Sequence, residues 1–307
     1  MADGCDEGPV FGTSPARRRA VAFPPIEGDA LTITFYGVRG STPCHGPDIA
    51  RHGGNTSCVA VEAPGQEPIL LDLGTGARYF GLDHADDRAF HGHCLLSHFH
   101  WDHIQGLPFF PPLLRSGTVL EIHGPTPEDH DSIADVIDRM LCPPLFPVGI
   151  PDLPGEVRVH DHLDDVFRIG EITVTSRLIP HIGNTLGFRL DWHGLSVAYL
   201  SDHQQPGVGV FDVAPNALEL CAGADLVIHD AQYTEAEFVR KASWGHCTID
   251  YAISVAEQAG AKAVALYHHD PMHDDDMLDA LAAKCEQMRC GIDVIVAREG
   301  LTLRLDA

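Results

Sequence analysis

The chain has 307 residues, 44% of them hydrophobic, and its 20 basic against 44 acidic side chains give a formal charge of −24. That is enough chain to bury a sizeable core in one large domain or two small ones, but so acidic a surface is unsuited to a long phosphate backbone, which is gripped chiefly by Lys and Arg. No run approaches the roughly 20 consecutive apolar residues of a membrane span, and residues Met1 to Glu7 lack the basic-then-apolar order of a secretory signal, so the expected location is cytoplasmic with no membrane partner.

Residues 1–29, rich in Gly, Pro and charge, read as a flexible arm that carries the Arg17–Arg19 run, and 30–307 as the folded domain. Strands are expected first at Leu31–Tyr36, which alternates, then at Cys58–Glu62, Pro68–Leu73 and the apolar run His93–Ser97. Further strands are expected at Thr118–His123, Val157–His160, Ile172–Ile179, Leu186–Leu190 and Ser196–Leu200. The last are Leu226–His229, Ala263–Tyr267, Asp293–Ala297 and Leu301–Leu305. Helical patterns fall at about 127–141, 214–222, 248–260 and 274–289, the third with Thr248 as N-cap and Gly260 as its close. The stretch Cys142–Pro154 holds five Pro and reads as a stiff apolar loop, either a pocket wall or a packed excursion. Strands first in pairs and then alternating with helices predict a mixed α/β layer structure, two central sheets covered by helices. The 9 Cys, an odd number with no CxxC pair, fit reduced thiols.

Directly after the His93–Ser97 run the chain spells HxHxDH: His98, His100, Asp102, His103. Imidazoles and a carboxylate are ligands for zinc-like cations, and this spacing suits two metals rather than one. A chain still extended as it leaves a strand projects His98 and His100 to one side, whereas a helix would oppose them. Other strand ends supply His181, Asp202 and His268. The expected arrangement is His98, His100 and His181 on one metal, Asp102, His103 and His268 on the other, and Asp202 bridging, since a carboxylate has two oxygens to share. His268 and His269 compete for the last position, because neighbours on a strand face opposite ways. Cys247 beside His246 is a weaker candidate, as a thiol nucleophile. His52, His203, His269 and His273 are read as structural first, and Arg39 and Asn55 either meet a substrate phosphate or brace Gly-rich turns.

In its order HxHxDH, His181, Ser201-Asp202 and Leu266-Tyr267-His268, over about residues 31–305, the chain resembles the metallo-β-lactamase superfamily. The resemblance implies a four-layer αββα sandwich with a dinuclear site between the sheet edges, and a supporting role for Asp72 in Leu71-Asp72-Leu73-Gly74-Thr75-Gly76. Trp244-Gly245-His246-Cys247-Thr248 is similar to the extra His motif of the ribonuclease Z and cyclic phosphate phosphodiesterase branch. Tyr36 to Pro43 and Gly53 to Cys58 look like the phosphoribosyl 1,2-cyclic phosphate phosphodiesterase group. A long Gly-rich, basic tRNA-clamping arm and a Cys-rich zinc insert are both missing from the sequence, which weakens tRNA processing and a direct transfer of the phosphoribosyl substrate.

The expected activity is therefore a phosphodiesterase with two divalent ions, zinc first and manganese or iron as alternatives, acting on a cyclic nucleotide or cyclic sugar phosphate. A metal-bridging hydroxide attacks, with Asp102 in the catalytic set and His246 as acid or phosphate donor. The alternatives are a lactone, thioester or carboxylic ester hydrolase on the same site, and a catalytically silent metal-binding sensor. The expected partner is the small substrate; a homodimer is compatible with the sequence.

Overall fold

The computed structural model describes residues 30–84, 88–128, 132–287 and 291–307; the expected arm of residues 1–29 lies outside them. In chain order the first strands are β1 Ala30–Gly37, β2 Cys58–Glu62, β3 Ile69–Leu71, β4 His91–Leu95, β5 Val119–Pro125 and β6 Glu156–His162. They continue as β7 Asp165–Ile169, β8 Ile172–Leu178, β9 Leu186–Trp192, β10 Leu195–Leu200, β11 Leu226–Asp230, β12 Ala263–Tyr267, β13 Asp293–Val296 and β14 Thr302–Asp306. These make two 7-stranded sheets, β14-β1-β2-β3-β4-β5-β6 and β13-β12-β11-β10-β9-β8-β7.

The helices are α1 Ala77–Asp83, α2 Trp101–Ile104, α3 Ile133–Met140, α4 Pro215–Cys221, α5 Glu235–Lys241, α6 Ile249–Gln258 and α7 Asp275–Gln287. Strand alternation assigns the layers. Leu31, Ile33 and Phe35 of β1 meet Leu226 and Ile228 of β11 and Tyr267 of β12 in the core between the sheets. The opposite faces, Cys94 and Ile122 in one sheet and Val264 and Leu266 in the other, pack under helices. This is the expected αββα sandwich.

Most expected strands and the helix capped by Thr248 are present, its side chain accepting from the Tyr251 N–H. Strand β7 and helices α1, α2 and α5 lie outside the expected elements. β7, Asp-Val-Phe-Arg-Ile, is a short and mostly exposed edge that carries little apolar signal. α1 starts without a side-chain cap. α5 did carry a readable start, the capping box of Thr234 and Glu237.

Two glycines set how closely α2 approaches the loop after β3. A Cβ on Gly106 would run into the Gly74 carbonyl oxygen, while a Cβ on Gly74 would meet the Asp102 carbonyl and the Ser57 amide. Gly106→Ala is expected to cost about 1–3 kcal/mol by overpacking and to lower the thermal midpoint by several degrees. Gly207→Ala, whose new methyl would meet only Val210 Cγ2 at 3.6 Å, serves as the neutral control. Equal melting of the two variants in calorimetry would refute the close-approach argument.

Candidate metal centre

Strands β3 to β6 pair in parallel, as do β10 to β13. Parallel strands end on the same side, so their C-terminal loops gather at one rim of the sandwich. Asp72 follows β3, His98 and His100 follow β4, and Asp102 and His103 lie in α2. The second sheet brings His181 after β8, Asp202 after β10 and His268 after β12.

These side chains meet. One potential ligand atom from each of His98, His100, His181 and Asp202 lies within 4.8 Å of the others, and the same holds for Asp102, His103 and His268. Asp202 faces both groups. Its Oδ1 is 3.2 Å from Nε2 of His103 and of His268, and its Oδ2 is 3.6 Å from Nε2 of His98 and of His181.

The donors are oriented from behind. His103 Nδ1 donates to Asp72 Oδ2 at 2.7 Å, and His98 Nδ1 donates at 3.0 Å to Ser97 Oγ, which itself donates to Asp72 at 2.9 Å. His181 Nδ1 donates to the Gly245 carbonyl at 2.7 Å. Each Nδ1 is thus engaged from behind, and each Nε2 is turned toward Asp202. Nε2 of both His98 and His103 is buried without a hydrogen-bond partner, an arrangement that costs stability unless a cation meets it. Nitrogen and carboxylate oxygen donors that converge in this way suit divalent metal ions.

Local backbone choices hold the last two donors. Asp102 Oδ2 accepts from the Ser41 amide at 2.8 Å and lies 3.0 Å from His268 Nε2. His268 adopts φ 58° as the chain leaves β12, which turns it into the cluster, while His269 Nε2 donates to the Ala297 carbonyl at 2.9 Å. Of the two competing neighbours, His268 is the one among the donors.

A second group borders the cluster. His246, also grouped with Asp202 and His268, donates Nδ1–H to Asp230 Oδ2 at 2.9 Å and stacks on the His268 ring at 5.1 Å. Asp230, the last residue of β11, is fully buried and also accepts from the His203 and Gln232 amides. Sequence reasoning missed it, although a strand-end Asp was the same signal that found Asp202.

The remaining candidates sit elsewhere. Cys247 is buried, donates Sγ–H to the Asp230 carbonyl, and burial pushes its thiol well above the ordinary range, against the thiolate that a nucleophile needs. Arg39 is fully buried and donates to the carbonyls of Gly53, Asp270 and His273. Asn55 binds Glu299 and Thr75. Both brace the glycine-rich loops. His52 pairs with Asp279, His273 with Glu237 and His203 with His229.

The electrostatics are those of tightly interlocked charges. Burial, reinforced by His103, holds His98 well below its ordinary value. Against burial, Asp102 and Asp202 hold His103 well above it, while His103 and His268 hold Asp102 and Asp202 below the carboxylate range. Burial also opposes protonation of His246, but the Asp230 carboxylate outweighs it and raises the ring to about 9.

Residues 88–269 match the family model described as beta-lactamase superfamily domain. An uncharacterised protein of Mycobacterium tuberculosis is 30% identical over 252 residues, 79% of this chain and 82% of its own. The metallo-beta-lactamase fold protein from Bacillus subtilis superposes with TM-score 0.66 at 18% identity, covering 90% of this chain and 100% of that one. The short form of human tRNase Z superposes with TM-score 0.64 at 22% identity, covering 89% and 98%. With these matches the His and Asp cluster stands in a known setting: the chain belongs to the beta-lactamase superfamily, as a hydrolase of the metallo-β-lactamase fold with a candidate metal centre.

Proposed function

We propose that the protein is a metal-dependent phosphodiesterase for a small phosphodiester, a cyclic nucleotide or a cyclic sugar phosphate. The observation that carries the reading is His246, buried at the edge of the donor cluster, with Nδ1 on Asp230 and 3.7 Å from Asp202 Oδ2. Departure of an alkoxide from phosphorus needs a proton, and a ring whose Nδ1–H is held by a carboxylate keeps Nε2 for that purpose. In this reading His98, His100 and His181 would hold one divalent ion and Asp102, His103 and His268 another, with Asp202 facing both groups. When bound, such ions, zinc first with manganese or iron as alternatives, make hydroxide available near neutral pH and offset charge on a phosphoryl oxygen.

The chain's own residues supply the rest. Asp230 keeps His246 in one tautomer and aims it, Asp72 does the same for His103, and Ser41 N–H anchors Asp102. The formal charge of −24 is compatible with a small ligand drawn in by metals and is less suited to a long nucleic acid. The shared fold with a tRNase Z supports chemistry at a phosphodiester.

A panel of cyclic nucleotides, cyclic ribose phosphates, lactones and thioesters, run with metal analysis, tests the reading. His246→Ala is expected to lower kcat for the diester about 10²–10⁴-fold with metal content unchanged. Asp102→Ala is expected to lose metal and turnover together. Undiminished diester cleavage by metal-free Asp102→Ala protein would overturn the mechanism, and an unaffected His246→Ala enzyme would favour a lactone or thioester. Separately, Asp72→Asn is expected to weaken metal binding about 10–100-fold, read by chelator competition. Unchanged affinity would remove Asp72 from its orienting role.

A further inference from the structure

Away from the metal cluster, five side chains from four strands and a turn form an unbroken line. Glu67 sits in the turn before β3, His93 in β4, His123 in β5, His162 in β6 and Asp165 at the start of β7. His93 Nε2 is 3.0 Å from Glu67 Oε2, and His93 Nδ1 is 3.2 Å from His123 Nε2. His123 Nδ1 is 3.2 Å from His162 Nε2, and His162 Nδ1 is 2.8 Å from Asp165 Oδ2. Both nitrogens of every ring are engaged.

Counting hydrogens decides the charge of this line. Each link needs one hydrogen between its two heavy atoms, and a neutral imidazole brings one. Three neutral rings therefore leave one of the four links empty, two lone pairs facing each other. One added proton fills every link. A second would force hydrogen against hydrogen in one of the ring-to-ring links. We propose that Glu67, His93, His123, His162 and Asp165 form a single proton-binding site, which holds one shared proton and latches the first sheet to β7 of the second.

The surroundings agree. Phe167 of β7 stacks on His162 at 4.1 Å and on His123 at 5.0 Å, a face that favours a charged imidazole. His160 stacks on His123 at 4.6 Å, but its Nε2 is engaged by Glu121 at 2.7 Å. Glu121 is in turn held by Arg158, and Arg177 donates to the Asp165 carbonyl. Burial, then His160, His93 and His162, pull His123 down to about 3. The ring nitrogens run in series and do not converge, and among the described residues the groups that could hold a metal ion all belong to the other cluster. Because the folded site refuses a second proton that free imidazoles accept near 6.5, the stability it contributes is lost as pH falls below that value.

NMR of protein with 15N-labelled histidine, rings assigned through His93→Gln and His162→Gln, gives a direct test. Between about pH 9 and about pH 5.5 the three wild-type rings are expected to take up one proton in total, with a common midpoint. In His123→Phe the line is cut, and the two remaining rings are expected to take up one proton each, so that removing a histidine raises the uptake. Three separate midpoints, or uptake of two or more protons by the wild-type rings, would overturn the proposal. The wild-type titration decides the matter even if His123→Phe does not fold.

Discussion

The carboxylate of Asp72 is the constraint on which the site depends. It is fully buried, and a buried carboxylate is tolerable only when donors surround it. It accepts from the Ser97 amide at 2.7 Å, Ser97 Oγ at 2.9 Å, His103 Nδ1 at 2.7 Å and Tyr199 OH at 2.7 Å. Ser97 lies after β4, His103 in α2 and Tyr199 in the opposite sheet. One group therefore fixes the loop that carries HxHxDH, sets the tautomers of His98 and His103, and ties the two sheets together beneath the site. Its backbone, at φ 64°, bears a strain of roughly 1–2 kcal/mol, which charge-assisted bonds worth about 1.5–3 kcal/mol each offset.

Around this hub the backbone itself walls the donors in. A Cβ on Gly40 would strike the His268 ring, and one on Gly245 would strike the His181 ring. Those imidazoles cannot swing that way without moving main chain. Gly245 also supplies the carbonyl that holds His181 Nδ1, at a φ of 93° that favours glycine. The segment that brings His246 thus also positions His181. Tyr267 OH donates to the Gly37 carbonyl at 2.7 Å, a second brace between the sheets one residue before His268. The cluster is preorganised because its supports are strands and close-packed backbone.

Much of this was legible because strand ends are legible. Apolar runs ending in His, Asp or Ser-Asp pointed to His98, His181, Asp202 and His268, the HxHxDH spacing added His100, Asp102 and His103, and β2 begins and ends where the alternation places it. What stayed hidden depends on contacts that a linear pattern does not carry. The choice between His268 and His269 turns on a left-handed φ, which their adjacency could not decide. Arg39 resembles a phosphate ligand by type, yet it is fully buried, with Nε and Nη1 turned to the carbonyls of Gly53, Asp270 and His273. Asp230 fell within a run of buried residues at the end of β11, and only folding shows that its carboxylate meets His246 from a loop sixteen positions on. α5 is a different case. Its Thr234 and Glu237 box is readable in the sequence, but the seven residues bury only Phe238 and so carry little apolar periodicity.

The 20 histidines of this chain separate into chemical classes by what each ring does with its two nitrogens. In His98, His103 and His181 one nitrogen donates to an oxygen and the other converges on Asp202. Convergence brings the nitrogen and oxygen donors to a common place, which suits a divalent cation. In His93, His123 and His162 the nitrogens alternate along a line whose two ends are carboxylates. A line has no common point, so the deficit in it is a hydrogen rather than a metal. Residue type and burial do not distinguish the two classes, since His98 and His123 are both buried. What separates them is the strand geometry. β4, β5 and β6 run side by side and set the second class in a row, whereas loops leaving both sheets fold the first class inward upon Asp202.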